Sequence, residues 1–134
     1  ELDQALQEKI WLKSGGFLVI QQTEAFVAID VNTGKHSSKK DAEENYKQIN
    51  REAALEIARQ IRLRNLSGMI LIDFINMRDC EDRSDLIQYM RSLVRSDSMQ
   101  TVVVDVTTLG IMEITRKKSA KTLAEQLNQL RKGE

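Results

Sequence analysis

A chain of 134 residues, 41% hydrophobic and 30% charged, suits one compact domain that can bury roughly 68% of its unfolded surface. Lys plus Arg and Asp plus Glu number 20 each, which excludes a uniformly cationic nucleic-acid binder, and no apolar run is long enough to span a bilayer. The single cysteine, Cys80, forms no internal disulfide and no zinc site alone, and a free thiol fits a reducing cytoplasm.

Spaced apolar residues (Leu2, Ala5, Leu6, Ile10) predict a short helix over 2–10. The chain opens on Glu1 inside that helix, which predicts a piece excised from a longer protein. Ser14-Gly15-Gly16 signals a turn, and 17–21 and 25–31 read as the strands of an antiparallel hairpin. A polar, Lys-rich loop follows over 32–41. Residues 42–64 carry an apolar stripe (Ala53, Ala54, Ile57, Ala58, Ile61) and no Pro, so one long helix is expected. Ser67-Gly68 ends it. The apolar run 69–72 predicts a strand buried on both faces. A second amphipathic helix spans 82–95, with Leu86, Met90, Leu93 and Val94 inward. Strands over 101–106 and 110–115 and a last helix over 120–130 complete the chain. Strands alternating with helices predict an α/β domain, a mixed sheet flanked by helices. The few aromatics, Trp11 and Phe17 among them, are expected mostly to pack.

Two carboxylates stand out. Asp30 closes the apolar strand 25–29, and Asp73 closes the run 69–72. Sites in α/β sheets gather at strand ends. Two such carboxylates converging on one cation suit Mg²⁺, which takes the rest of its shell from water and substrate phosphate. Asn32, two residues past Asp30, shares its face if the strand continues. A strand-end Asp also caps turns or pairs with a nearby base, and the residues alone leave both readings open. Glu113 and Arg116 form a third group, either a surface ion pair or, through the guanidinium, a phosphate contact. Basic residues cluster at Lys35, His36, Lys39 and Lys40 and at Arg116, Lys117, Lys118 and Lys121. His36, the only histidine, lies in a polar loop and supports no nucleophilic triad. No Gly-rich phosphate loop is present.

Four stretches resemble, in order, motifs of the bacterial ribonuclease E/G family. They are Ala28-Ile29-Asp30-Val31-Asn32-Thr33-Gly34-Lys35, Asn50-Arg51-Glu52-Ala53-Ala54 running on through Glu56-Ile57-Ala58-Arg59-Gln60-Ile61-Arg62-Leu63-Arg64-Asn65, Ser67-Gly68-Met69-Ile70-Leu71-Ile72-Asp73-Phe74-Ile75, and Leu109-Gly110-Ile111-Met112-Glu113-Ile114-Thr115-Arg116-Lys117. The resemblance runs from about Leu2 to Lys118 and implies the DNase I-like catalytic subdomain of that family. It implies Asp30 and Asp73 as Mg²⁺ ligands, with Mn²⁺ able to substitute, and Asn32 assisting near the metal or the scissile phosphate. Lys35, Lys39, Lys40, Arg116 and Lys117 are the expected RNA-binding cations. The implied reaction is hydrolysis of single-stranded, often A/U-rich RNA, leaving a 5′-phosphate and a 3′-hydroxyl.

Two positions depart from the family pattern: Asn76 stands where an Asp is usual, and Ser38 where a glycine precedes the paired lysines. Family members also carry an S1 domain and a 5′-end sensor on the preceding side, and a zinc-binding Cys pair that joins subunits on the following side. These would be partners of the domain in a full-length homo-oligomer, and the domain alone should be weak or inactive. The competing reading is a non-catalytic RNA-binding or interaction module that keeps the fold.

Overall fold

The structure, a computed structural model, describes residues 7–34, 42–97 and 99–117. The Lys35, His36, Lys39 and Lys40 cluster, Lys118, Lys121 and the expected last helix lie outside the described residues.

The expected α/β architecture is present. β1 (Gln7–Trp11), β2 (Phe17–Gln22) and β3 (Val27–Asn32) form an antiparallel meander. Helix α1 (Ala42–Leu63) then crosses to β4 (Gly68–Asp73), which lies parallel to β3. Helix α2 (Cys80–Arg95) leads to the hairpin of β5 (Gln100–Val106) and β6 (Ile111–Lys117), and β6 inserts between β4 and β5. The sheet is mixed, six-stranded, in the order β1-β2-β3-β4-β6-β5.

The first expected element is corrected: the described part of 2–10 belongs to a strand, not a helix. Lys9-Ile10-Trp11 alternates outward, inward, outward, and pairing with β2 supplies the backbone partners that a short isolated helix lacks.

Alternation sorts the sheet into two faces. Leu18 and Ile20, Val27, Ile29 and Val31, Ile70 and Ile72, and Met112 and Ile114 point to one face. There they join the stripe Ile49, Ala53, Ala54, Ile57, Ala58 and Ile61 of α1 and Leu86, Met90 and Val94 of α2 in a single core. The other face carries no helix among the described residues. β4 is therefore buried on one face only, a second correction: Ile70 and Ile72 are in the core, whereas Met69 is 46% exposed.

The C-terminus of α1 is closed by backbone hydrogen bonds and the N-terminus of α2 by a side chain. Asn65 takes the left-handed conformation (φ 52°), with Asn65 N–H donating to Arg62 O at 3.2 Å and Leu66 N–H to Ile61 O at 3.0 Å. This stops α1 before the Ser67-Gly68 signal. Asp79 caps α2 by accepting from the Glu81 N–H at 2.7 Å, so that helix starts earlier than its apolar stripe indicated.

Candidate active site

β3 and β4 run side by side in the same direction, and their last register pair is Asp30 with Asp73. Paired residues on adjacent strands leave the sheet on the same face, about 4.8 Å apart along the pairing direction. Both carboxylates point to the face that carries no helix among the described residues, and both are exposed. Asn32 is two residues further along β3, on that same face, and half-buried. The sheet thus brings Asp30, Asn32 and Asp73 together at one end.

The pairing is electrostatically unfavourable. Partial burial at the strand end, and behind it the charge of Asp30, hold the Asp73 carboxyl above its ordinary value. A cation between the two would relieve both effects. No group of three or more His, Cys, Asp or Glu suited to a metal exists among the described residues. Two carboxylates fit a hard cation that keeps much of its shell as water, and they do not fit a closed zinc-type site.

The floor is rigid. Asn50 on α1 is fully buried, and its amide clamps the loop after β4: Nδ2 donates to Ile75 O at 2.9 Å and Oδ1 accepts from the Ile75 N–H at 3.0 Å. On the other side the turn 14–16 lies flat against the end of β3. A Cβ at Gly16 would sit 2.7 Å from Asn32 O, and Gly34 (φ +72°) is pressed against Gly15 O, so neither position admits a side chain. Glu52 ties this turn to α1 by accepting from the Ser14 N–H at 3.0 Å. Asn50 and Glu52 stand in the second of the four family-like stretches, which assigned neither a role. Asn50 signalled itself only as a polar residue on the apolar side of a helix.

A cleft of about 450 Å³ opens over the carboxylates, walled by Phe17, Val19, Phe26, Leu71 and Ile111, with Asn32 on its rim. Another of about 230 Å³ runs from Asp73 toward the helix side, between the 74–77 loop, Leu86 and Ile87 of α2, and the β5–β6 turn.

The basic residues are dispersed. Lys117 is exposed but sits six residues along β6 from Ile111, the partner of Asp73, about 20 Å away at the strand rise. Arg116 is corrected more sharply. It is 4% exposed and faces the core side, where its Nε donates to Asp97 Oδ2 at 2.8 Å and its Nη1 donates to Asn65 Oδ1 at 2.9 Å and Leu66 O at 2.8 Å. A guanidinium so committed has no fork left for phosphate. The Glu113–Arg116 ion pair does not form either, because residues three apart on a strand face opposite ways. Glu113 points to the open face, paired with Leu71, two register positions from the Asp73–Ile111 pair.

A sequence profile described as "Ribonuclease E/G family" matches residues 1–119. The chain belongs to the ribonuclease E/G family. It is similar to the protein named Ribonuclease G of Escherichia coli K12, 39% identical over 127 residues, which are 95% of this chain and 26% of that protein. Haemophilus influenzae Ribonuclease G is 42% identical over 123 residues, 92% of this chain and 25% of that protein. A Nostoc protein named Ribonuclease E is 38% identical over 122 residues, 91% of this chain and 18% of that protein. The chain thus spans a quarter or less of the length of the Nostoc and Haemophilus relatives and about a quarter of the E. coli one. Asp30, Asn32 and Asp73 all fall within the segment matched by the ribonuclease E/G profile. No helix of the described residues is long and apolar enough to cross a membrane.

Proposed function

We propose that this chain is the DNase I-like, Mg²⁺-dependent core of an endoribonuclease acting on single-stranded RNA. The observation that carries it is the Asp30–Asp73 register pair. Two like charges at the ends of adjacent parallel strands raise each other's cost, and a fold gains nothing from that unless a cation is shared. Asp30 and Asp73 are the residues that would hold Mg²⁺, with Mn²⁺ as a substitute. When bound, the ion supplies Lewis acidity toward a phosphoryl oxygen and eases ionisation of the attacking water. The chain's own part is to place charge and shape. Asn32 presents an amide beside the pair and donates to a non-bridging phosphate oxygen. The walls Val19, Leu71 and Ile111 limit water around the reacting phosphate. Water forms the new P–O bond as the P–O3′ bond breaks, and the 3′-oxygen leaves with a proton, giving a 5′-phosphate and a 3′-hydroxyl.

With a formal net charge of zero, the chain has no broad cationic field with which to hold RNA. Most of the grip would then come from other parts of a longer, multi-domain protein, consistent with the greater length of its relatives.

Cleavage of an end-labelled, single-stranded A/U-rich RNA, in the longest form of the protein that contains these residues, tests the reading. Asp73→Asn should lower the rate by more than about 100-fold, since even lost outer-shell partners cost metal sites 10–100-fold. Chelation should match the variant. Undiminished cleavage by Asp73→Asn in millimolar Mg²⁺ would overturn the assignment.

A further inference from the structure

The edge of the sheet beside the carboxylates holds aromatic surface that packing does not consume. Trp11 is 63% exposed on the edge strand β1. Its register partner is Phe17, and the partner of Phe17 on β3 is Asn32, so Trp11, Phe17 and Asn32 form one row on the open face. The next row runs Lys9, Val19, Asp30, Asp73. The Trp11 and Phe17 rings lie 5.1 Å apart at 54°, and Lys9 Nζ stands 4.4 Å from one centroid and 4.1 Å from the other. A shallow cleft joins these rings to Thr33 and Gly34, with Asn32 and Phe17 shared between it and the cleft over the carboxylates.

We infer that Trp11 and Phe17, with Lys9 between them, form a base-stacking subsite for the RNA strand that crosses Asp30 and Asp73. The inference rests on the ribonuclease reading above and gives it a substrate contact. Single-stranded RNA is held by stacking unpaired bases on aromatic rings and by cations on its backbone. This patch offers both, two strand spacings or about 10 Å from β3. Lys9, which covers the ring faces without RNA, swings to a phosphate as a base takes its place. Stacking accepts any base, so the subsite sets where the strand lies and imposes little sequence preference.

Trp11 is the only tryptophan of the chain, so its emission reports the contact directly. The 134-residue chain would be titrated with a fluorescein-labelled oligoadenylate and with an abasic strand of equal length, following anisotropy and Trp emission together. The expected result is saturable quenching by oligoadenylate and little by the abasic strand. Trp11→Leu should bind about 5- to 150-fold more weakly, the range for losing one stacked base, and Trp11→Phe should recover most of it. Lys9→Ala should lower the salt slope of binding by about 0.7, one phosphate contact. Binding without quenching, or equal affinity for both strands, overturns the subsite and leaves the metal-site reading standing. Absence of binding by either readout overturns it as well, and metal-dependent cleavage lost in Asp73→Asn would still uphold the ribonuclease. A sedimentation shift abolished by Trp11→Leu and unaffected by RNA reassigns the patch to a protein contact.

Discussion

At one end of the sheet Asp73 faces a second carboxylate; at the other Asp97 faces a guanidinium. Arg116 and Asp97 side chains are 4% and 3% exposed and form a two-pronged ion pair, completed by the Thr101 hydroxyl, which donates to Asp97 at 2.5 Å, and by Asn65. The Arg116 guanidinium, first among the causes, holds the Asp97 carboxyl down at about 2. The Asp73 carboxyl moves the opposite way, raised by partial burial and by Asp30. One end therefore has every polar group answered within the fold, and it ties the end of α1 to the start of β5. The other keeps an unanswered charge pair on an open face. A stability role accounts for the first arrangement and gives no reason for the second, which points outward to a ligand.

The largest effect on stability should come from breaking the satisfied end. Arg116→Ala leaves Asp97 and the Leu66 carbonyl without their partner, and urea unfolding should show a loss of about 3–5 kcal/mol. The paired change Arg116→Met with Asp97→Leu should recover much of that loss, because both charges then go together. If Arg116→Ala costs less than a surface change, the two ends do not differ as described.

Next comes the clamp that keeps the unsatisfied end in place. Asn50→Ala orphans the Ile75 N–H and carbonyl and should cost about 2–3 kcal/mol. It should also weaken Mn²⁺ binding by the chain, because the strand end carrying Asp73 loses its tether. Unchanged Mn²⁺ affinity in a folded Asn50→Ala variant would show that the carboxylate pair holds its geometry without α1.

Acid separates the two ends by sign. Asp97 has a folded value of about 2 against an ordinary 3.8, so its contribution is present in full above the ordinary value and is lost as pH falls toward about 2. The shift corresponds to about 2 kcal/mol. Urea midpoints followed down to pH 2 should therefore fall more steeply in wild type than in Asp97→Asn. Parallel curves would remove Asp97 from the acid response.

Much of this contrast was legible in the residues, and the part that was not has physical causes. Asp30 and Asp73 each close an apolar run, and a strand end is a local feature. A β3–α1–β4 crossover lays the two strands side by side and parallel, and their register brings the two residues level. Arg116 was misread because its partner Asp97 lies 19 residues away, across the β5–β6 hairpin, whereas Glu113 stood near in sequence and faced the wrong way. Trp11 was expected to pack. Edge position decides that matter, and strand order is not written in any short window. The apolar run at β4 suggested burial on both faces, yet Met69 remains 46% exposed, as do Val102 and Val104 of β5 at 53% and 50%.

The smallest effect expected is the one most diagnostic of the unsatisfied end. Asp73→Asn removes one of two facing charges and keeps the shape of the side chain. In chelator it should raise the melting temperature slightly, because repulsion with Asp30 is gone. In millimolar Mg²⁺ the order should narrow or reverse, because an ion that binds the folded wild type and not the variant stabilises only the former. Asp97→Asn should lose stability in both buffers alike. A variant at Asp73 that behaves the same way, losing stability with and without Mg²⁺, would place that carboxylate among the structural groups and erase the difference between the two ends of the sheet.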